Sequence, residues 1–117
     1  MLNFDVSTET DGSSALVTFT GDLDIQVAKQ AAEAVERVEA EGPPELLVVD
    51  LSGLTFMDSS GMAVVAAAHA RALEDGRRFV IVSPKGGVWR AFEVSGLDQS
   101  IETVAEAGSV YPASGGS

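Results

Sequence analysis

Residues 46–62, with the sequence LLVVDLSGLTFMDSSGM, carry the strongest structural signal in the chain. The run Leu46–Val49 is apolar without interruption and is bounded by acidic residues, which is typical of a strand covered on both faces. Asp58 and Ser59 are residue types that favour helix N-termini. The alanine-rich stretch that follows, 62–75, ends before a glycine, a common helix stop signal. The pattern therefore predicts a buried strand that leads through a short connection into a helix.

The sequence before this stretch predicts a hairpin and then a helix. Apolar and polar residues alternate over 2–7 and again over 15–20, which is the period of β-strands, and a turn signal at 11–13 lies between them. From Val27 to Glu41 the apolar residues instead recur at helical spacing, and Gly42-Pro43-Pro44 ends that helix.

The second half of the chain continues the alternation of strands and helices. Phe79–Val82 repeats the buried-strand pattern, Val88–Ser95 is typical of a short helix, and Ile101–Val104 of an edge strand. The order predicts an α/β fold with a mixed, mainly parallel sheet of four to five strands, an N-terminal hairpin and helices packed on the sheet. We expect one domain over residues 1–106, followed by a flexible C-terminal tail, 107–117, rich in glycine and serine.

The composition limits the classes of partner. The 117 residues include 18 acidic and 7 basic side chains, a formal net charge of -11 at pH 7. Such a surface repels nucleic-acid phosphates and anionic lipid headgroups, so we expect no direct nucleic-acid partner and no membrane partner. The absence of cysteine excludes disulfides. The apolar runs are short and the first residues lack the features of a secretion signal, which favours a cytoplasmic location.

Ser59 is placed by this pattern at the start of a helix. Backbone N–H groups of a first helical turn lack internal partners and the helix dipole favours negative charge, so a phosphate on Ser59 would be held there without special side chains. Gly21–Asp24 follows the second strand, and strand ends of such sheets share a rim with helix N-termini, so we expect Asp24 near Ser59. A purely structural alternative stays open, in which Asp58 or Ser59 caps the helix and Gly21–Asp24 forms a turn.

Three motifs in the chain match those of a known family. They are Gly21–Asp24, Val48–Ser52 together with Phe56–Gly61, and Val94–Leu97. By these motifs the chain resembles the STAS domains, specifically the stand-alone bacterial anti-sigma factor antagonists of the sporulation and stress-response type. The resemblance covers nearly the whole chain, and the middle motif is the most specific.

The resemblance implies a switch by phosphorylation. In that family the serine directly after the aspartate, here Ser59, is phosphorylated by a partner that is both a serine kinase and an anti-sigma factor; Ser60 is the second candidate. The unphosphorylated form binds the anti-sigma factor and frees a sigma factor, and a serine phosphatase restores it. We expect no catalytic activity, cofactor or metal, and a monomer when free. The expected partner-binding residues are Asp22, Asp24, Asp58, Ser60, Gly61 and Met62.

Two features depart from the family pattern. Ile25-Gln26-Val27, after Asp24, is more apolar than expected, which affects the surface presented to a partner. Family members usually add a final helix, whereas here a short segment precedes the Gly/Ser-rich tail, so that helix is expected to be short or missing.

Three alternative functions are weighed against this one. A receiver-like phosphodomain would gather Mg²⁺ with Asp22, Asp24 and Asp58 and carry an aspartyl phosphate. A non-phosphorylated adaptor would use the face of Met62, Val65 and Ala66 as a constitutive docking surface, although those positions match a helix face that packs on the sheet. A hydrolase would need His69 as a base, but ten helical residues span about 15 Å, too far from Ser59.

Overall fold

A computed structural model describes residues 3–112 of the chain. The elements are β1 (Phe4–Asp11), β2 (Ser14–Leu23), α1 (Ala28–Glu41), β3 (Leu46–Met57), α2 (Ser59–Glu74), β4 (Arg78–Val82), α3 (Gly86–Ser95) and β5 (Glu102–Val104). Single 3-10 turns at Leu97–Gln99 and Ala107–Ser109 flank β5. No helix within residues 3–112 is both long enough and apolar enough to cross a membrane.

The five strands form one mixed sheet in the order β1-β2-β3-β4-β5. β1 runs antiparallel to β2, and the three remaining neighbour pairs are parallel. Parallel neighbours need a crossover connection, and α1, α2 and α3 supply the three crossovers in turn. The fold predicted from the sequence is confirmed, with five strands in the sheet.

The central strands are buried on both faces of the sheet. On β3, Leu47, Val49 and Leu51 belong to the large apolar cluster that also contains buried residues from each of the three helices. Leu46 and Val48 belong to a second cluster on the opposite face. The run is apolar throughout because both faces of the strand are buried, as the sequence pattern predicts.

The second face of the sheet is covered by the C-terminal segment. Tyr111 is only 9% exposed and packs in the cluster with Leu16 and the outward-facing residues of β3 and β4, with Val110 partly buried beside it. A flexible tail is predicted from residue 107, but Ala107, Val110 and Tyr111 pack on the sheet because their apolar side chains cover a face that the three helices leave open. The resemblance implies a final helix here, and within the described residues this segment forms only the 3-10 turn Ala107–Ser109. The rest of the predicted tail, 113–117, lies outside the described residues.

Tyr111 makes this packing depend on pH. Burial raises the pKa of its phenol above the ordinary value of 10.0, and the carboxylates of Glu9 and Asp11 raise it further. Because the folded-state pKa exceeds the unfolded-state value, this contribution to stability is present below about pH 10 and is lost as the pH rises through the folded-state pKa. We expect the unfolding midpoint of the wild type to fall more steeply above about pH 10 than that of Tyr111→Phe.

The ionisation of Tyr111 can be followed directly, since it is the only tyrosine in the sequence. We expect the ultraviolet absorbance of tyrosinate to develop at a higher pH in the native protein than in the urea-unfolded protein. Identical titration curves in the two states would contradict the packing of the C-terminal segment on the sheet.

β3 extends beyond its neighbour β4 at the C-terminal end. Leu46–Asp50 pairs with β4, whereas the rest of the strand pairs with β2 alone. The register between β2 and β3 shifts twice, and at the second shift Gly21 faces Leu54 while Asp22 faces Phe56. Each shift places one extra residue in β3, and such bulges often re-aim side chains beside functional sites. This C-terminal part of β3, which is not paired with β4, extends beyond the last residue of β4 and leads directly into α2.

Candidate functional site

The junction between β3 and α2 is organised by the side chain of Asp58. This residue is the N-cap of α2, and its Oδ1 accepts hydrogen bonds from the backbone N–H of Ser60 at 2.9 Å and of Gly61 at 3.2 Å. An N-cap carboxylate satisfies amides that have no partner within the helix, and the helix dipole favours its charge. Asp58 therefore fixes the residue at which α2 begins.

Ser59 is the first helical residue of α2, and it is exposed to solvent. Ser60, the second candidate for modification, is half-buried. A modifying enzyme needs access to the hydroxyl that it modifies. Ser59 is therefore the more accessible of the two predicted serines.

The first-turn amides of α2 are already in use. The sequence pattern predicts that they are open to hold a phosphate on Ser59, and for Ser60 and Gly61 that prediction is wrong because their N–H groups donate to the Asp58 carboxylate. The Met62 N–H donates to the backbone carbonyl of Asp58 at 3.0 Å. A phosphate on Ser59 would lie beside a carboxylate at an exposed position, where its charge is open to solvent and to any protein that docks there.

The loop between β2 and α1 lies against the same junction. The backbone N–H of Ile25 donates to Asp58 Oδ2 at 3.2 Å, and the Asp58 N–H donates to the carbonyl of Leu23 at 3.3 Å. Asp24 closes a local turn, since its Oδ1 accepts from the N–H of Gln26 at 2.9 Å. The structure thus places the loop that carries Asp24 beside the residue that precedes Ser59, as the strand ends predict.

Asp22 lies at the same end of the sheet, near the end of β2. Its Oδ1 accepts a hydrogen bond from Thr55 Oγ1 at 2.6 Å, and it faces Phe56 in the β2–β3 register. We call Asp22, Asp24 and Asp58 the acidic rim. The structure brings these three predicted site residues to the edge from which Ser59 projects.

The receiver-like alternative requires the acidic rim to converge on one ion. Among residues 3–112, no group of three His, Cys, Asp or Glu side chains is placed to hold a metal. The three carboxylates instead accept hydrogen bonds from three separate donors, the N–H groups of Ile25 and Gln26 and the hydroxyl of Thr55. The ligand geometry that this alternative needs is therefore not formed.

Gly61, which is predicted to contact a partner, is instead buried where the start of α2 packs against the end of β2. A Cβ at this position would be 2.7 Å from Leu23 Cγ and 2.8 Å from Met57 Cγ. Met62 is half-buried against the main apolar cluster, and Val65 is fully buried within it. The adaptor alternative needs Val65 in a docking surface that a partner can reach, and the burial of Val65 contradicts this.

Two exposed apolar residues beside the junction are absent from the site predicted from the sequence. Ile25 is 74% exposed and Phe56 is 50% exposed. The sequence does give a signal for Ile25, because Ile25-Gln26-Val27 is more apolar than the family pattern. For the second, plain strand alternation would place Phe56 on the same buried side as Leu54, but the extra residue Thr55 at the bulge reverses its direction.

Comparison with known proteins assigns the chain to a family. The family model described as STAS domain matches residues 5–109. The chain belongs to the STAS domain family. The resemblance inferred from the sequence motifs is therefore confirmed.

Named relatives of this STAS domain are anti-sigma factor antagonists. The anti-sigma-F factor antagonist RsfB of Mycobacterium tuberculosis is 29% identical over 86 residues, which cover 74% of this chain and 69% of RsfB. An anti-sigma factor antagonist from Mycobacterium paratuberculosis superposes with a TM-score of 0.84 at 24% identity, over 94% of this chain and 92% of the other. The phosphorylated form of the Bacillus cell fate determinant SpoIIAA superposes with a TM-score of 0.69 at 20% identity, over 92% and 96%. These structural likenesses show a shared fold.

Removing the Asp58 carboxylate is expected to destabilise this STAS domain. Asp58→Ala leaves the N–H groups of Ser60, Gly61 and Ile25 without their acceptor. Loss of an N-cap costs about 1 kcal/mol, which lowers the melting temperature of a domain of this size by roughly 4 °C. Asp58→Asn keeps one acceptor oxygen for the helix, so its melting temperature should lie between those of the wild type and Asp58→Ala. Thermal unfolding followed by circular dichroism measures the series, and a wild-type midpoint for Asp58→Ala would contradict the capping role.

Proposed function

We propose that this STAS domain is an anti-sigma factor antagonist switched by phosphorylation of Ser59. The unphosphorylated domain binds an anti-sigma factor that is also a serine kinase, and this binding frees a sigma factor. Phosphorylation of Ser59 by that kinase ends the binding, and a serine phosphatase restores the binding form. The observation that carries the proposal is the exposed Ser59 on the first turn of α2, in a family whose named relatives are anti-sigma factor antagonists.

The charges at the site explain how a phosphate acts on the partner and spares the fold. Phosphoserine carries about 1.5 to 2 negative charges at neutral pH. The domain accommodates them because Ser59 is exposed and lies at a helix N-terminus. A partner that covers the acidic rim must bury the phosphate next to Asp58, and unmatched like charges cost on the order of several kcal/mol. A cost of about 3 kcal/mol weakens binding roughly a hundredfold.

The remaining site residues have supporting roles in this proposal. The acidic rim together with Ser60 and Met62 forms the surface that the anti-sigma factor covers, and the buried Gly61 supports that surface by allowing α2 to pack against the end of β2. The domain presents a hydroxyl to a kinase and a phosphatase and has no catalytic activity of its own. It acts in the cytoplasm, where sigma factors meet RNA polymerase, and it is a monomer when free.

Incubation with purified kinase tests the modification. Each serine-kinase anti-sigma factor of the source organism is expressed singly and mixed with the domain and ATP, and the modified residue is mapped by mass spectrometry. We expect one phosphate on Ser59, stable to hydroxylamine, which cleaves an aspartyl phosphate. Ser60→Ala should be modified as the wild type is, and Ser59→Ala should not. Modification at an aspartate, or at neither serine, would overturn the proposal.

A further inference from the structure

Large apolar side chains are exposed at four positions within residues 3–112, and two of them flank the Ser59 junction. These two are Ile25 and Phe56, which we call the apolar pair. The other two, Leu73 and Val94, are 72% and 84% exposed and lie at the C-terminal ends of α2 and α3. Leu73 is about 21 Å along α2 from Ser59. Single exposed apolar residues are ordinary, but two beside one candidate regulatory residue point to recognition.

Ile25 is presented on a structured turn. Its own N–H is held by the Asp58 carboxylate at 3.2 Å, and the preceding Asp24 accepts a second hydrogen bond from Gln26. The Val27 N–H donates to the Asp24 carbonyl at 3.1 Å, and the Val27 side chain is buried. The backbone on both sides of Ile25 is thus tied down. Its side chain projects into solvent from a fixed base that shares a carboxylate with the start of α2.

Phe56 is directed outward by the bulge in β3 and lines an open cavity. The cavity has a volume of about 460 Å³ and lies between the overhanging end of β3 and the start of α3. Its walls include the apolar side chains of Leu54, Met57, Val88 and Ala91. A partner side chain that enters here would cover the exposed half of the Phe56 ring and contact mainly apolar atoms, with Thr55 and Lys85 forming the polar part of the wall.

The charges around the apolar pair define the partner that fits. Asp22 faces Phe56 across the β2–β3 register, and Asp24 and Asp58 adjoin Ile25. Carboxylates therefore lie beside both residues of the apolar pair, in a chain with a net charge of -11, and Lys85 on the cavity wall is a cation near Phe56. The complementary surface has apolar side chains at its centre and lysine or arginine around them, which is the usual anatomy of a specific protein interface.

We infer that Ile25 and Phe56 are the apolar anchors of the interface with the anti-sigma factor kinase and that they determine which kinase this domain binds. The inference rests on the proposed function and adds the residues that supply affinity. The acidic rim steers a basic partner to the site, and the apolar pair holds it there by burial beside Ser59. In this arrangement a phosphate on Ser59 meets the apolar centre of the partner surface and not the lysine and arginine side chains around it, so its charge is buried unmatched.

Truncation of each anchor tests the inference. Ile25→Ser and Phe56→Ser are compared with the wild type by surface plasmon resonance against the purified kinases of the source organism. Truncation of an anchor typically weakens binding about tenfold, and we expect this weakening to appear as a faster dissociation rate. Asp24→Asn, which keeps its turn, should instead lower the association rate and the salt dependence. Ile25→Leu, which keeps an apolar side chain of similar size, should lose less affinity than Ile25→Ser.

Leu73→Ser and Val94→Ser are the matched controls. Leu73→Ser removes a comparably exposed apolar side chain about 21 Å along α2 from Ser59, and Val94→Ser removes one at the C-terminal end of α3; both should bind as tightly as the wild type. Melting temperatures confirm that all variants fold. If a kinase binds the wild type and also binds Ile25→Ser and Phe56→Ser with the affinity of the controls, the apolar pair is not an anchor although the proposed function stands. If the wild type binds none of the kinases, both proposals fail.

Discussion

Ser59→Asp is expected to bind the anti-sigma factor at least about tenfold more weakly than the wild type, whereas Ser59→Ala keeps full affinity and ignores kinase and ATP. The aspartate adds one negative charge next to Asp58, at the proposed interface. Aspartate carries one negative charge, whereas phosphoserine carries about 1.5 to 2. The loss of affinity in Ser59→Asp should therefore be smaller than the roughly hundredfold loss expected for phosphoserine. Isothermal titration calorimetry with the same purified kinase measures both variants.

Neither Ser59 variant should disturb the fold. The Ser59 side chain is exposed, and no hydrogen bond from its hydroxyl is needed for the Asp58 cap. Ala70→Glu provides a control for added charge, since Ala70 is exposed on the same helix about 16 Å further along. This control should bind as the wild type does. Loss of binding by Ser59→Asp together with loss of its circular dichroism signal would contradict a block at the interface, because unfolding would then be the cause.

Gly61→Ala is expected to lower the stability of the domain by about 1–3 kcal/mol. The added methyl would approach Leu23 Cγ to 2.7 Å, Met57 Cγ to 2.8 Å and the Leu23 carbonyl to 2.9 Å. One of these contacts is with backbone, and the side chains belong to the main core, so α2 must move away from β2. Chemical denaturation gives the free energy of unfolding. Because α2 carries Ser59, the variant should also bind the kinase more weakly.

Gly87→Ala is the control for the loss of a glycine. It lies in the first turn of α3, and a Cβ there meets nothing within 4 Å. Alanine lowers the entropy of the unfolded chain and favours helix, so we expect this variant to be as stable as the wild type or more stable by about 0.5–1 kcal/mol. Equal stability of Gly61→Ala and Gly87→Ala would mean that the helix has room at its start, contrary to the close packing described above.

The elements and their order could be predicted from the sequence because each has a local cause. Leu46–Val49 is apolar throughout since alternate residues enter two clusters, and Asp58 begins α2 because a carboxylate can accept from first-turn amides. Both causes lie within a few residues of the element that they explain. Strand order likewise predicts that the loop of Asp24 lies at the same edge of the sheet as the β3–α2 junction, where the Ile25 N–H donates to Asp58.

Features that depend on pairing between distant segments could not be predicted. The outward turn of Phe56 comes from a bulge at Thr55, which exists only in the register between β2 and β3. The packing of Tyr111 needs a partly uncovered face of the sheet, which no local pattern of glycine and serine indicates. The sequence pattern also shows that first-turn amides exist, but it does not show that the Asp58 side chain occupies them.

The most direct measurement compares the domain with and without phosphate on Ser59. Domain phosphorylated to completion by the kinase and unmodified domain are titrated into the same anti-sigma factor, and the thermal unfolding of both forms is recorded. We expect affinity to fall by at least about a hundredfold while the unfolding midpoint stays within about 2 °C. Equal affinity of the two forms, or a phosphorylated form that has lost its folded structure, would contradict a switch that acts at the surface.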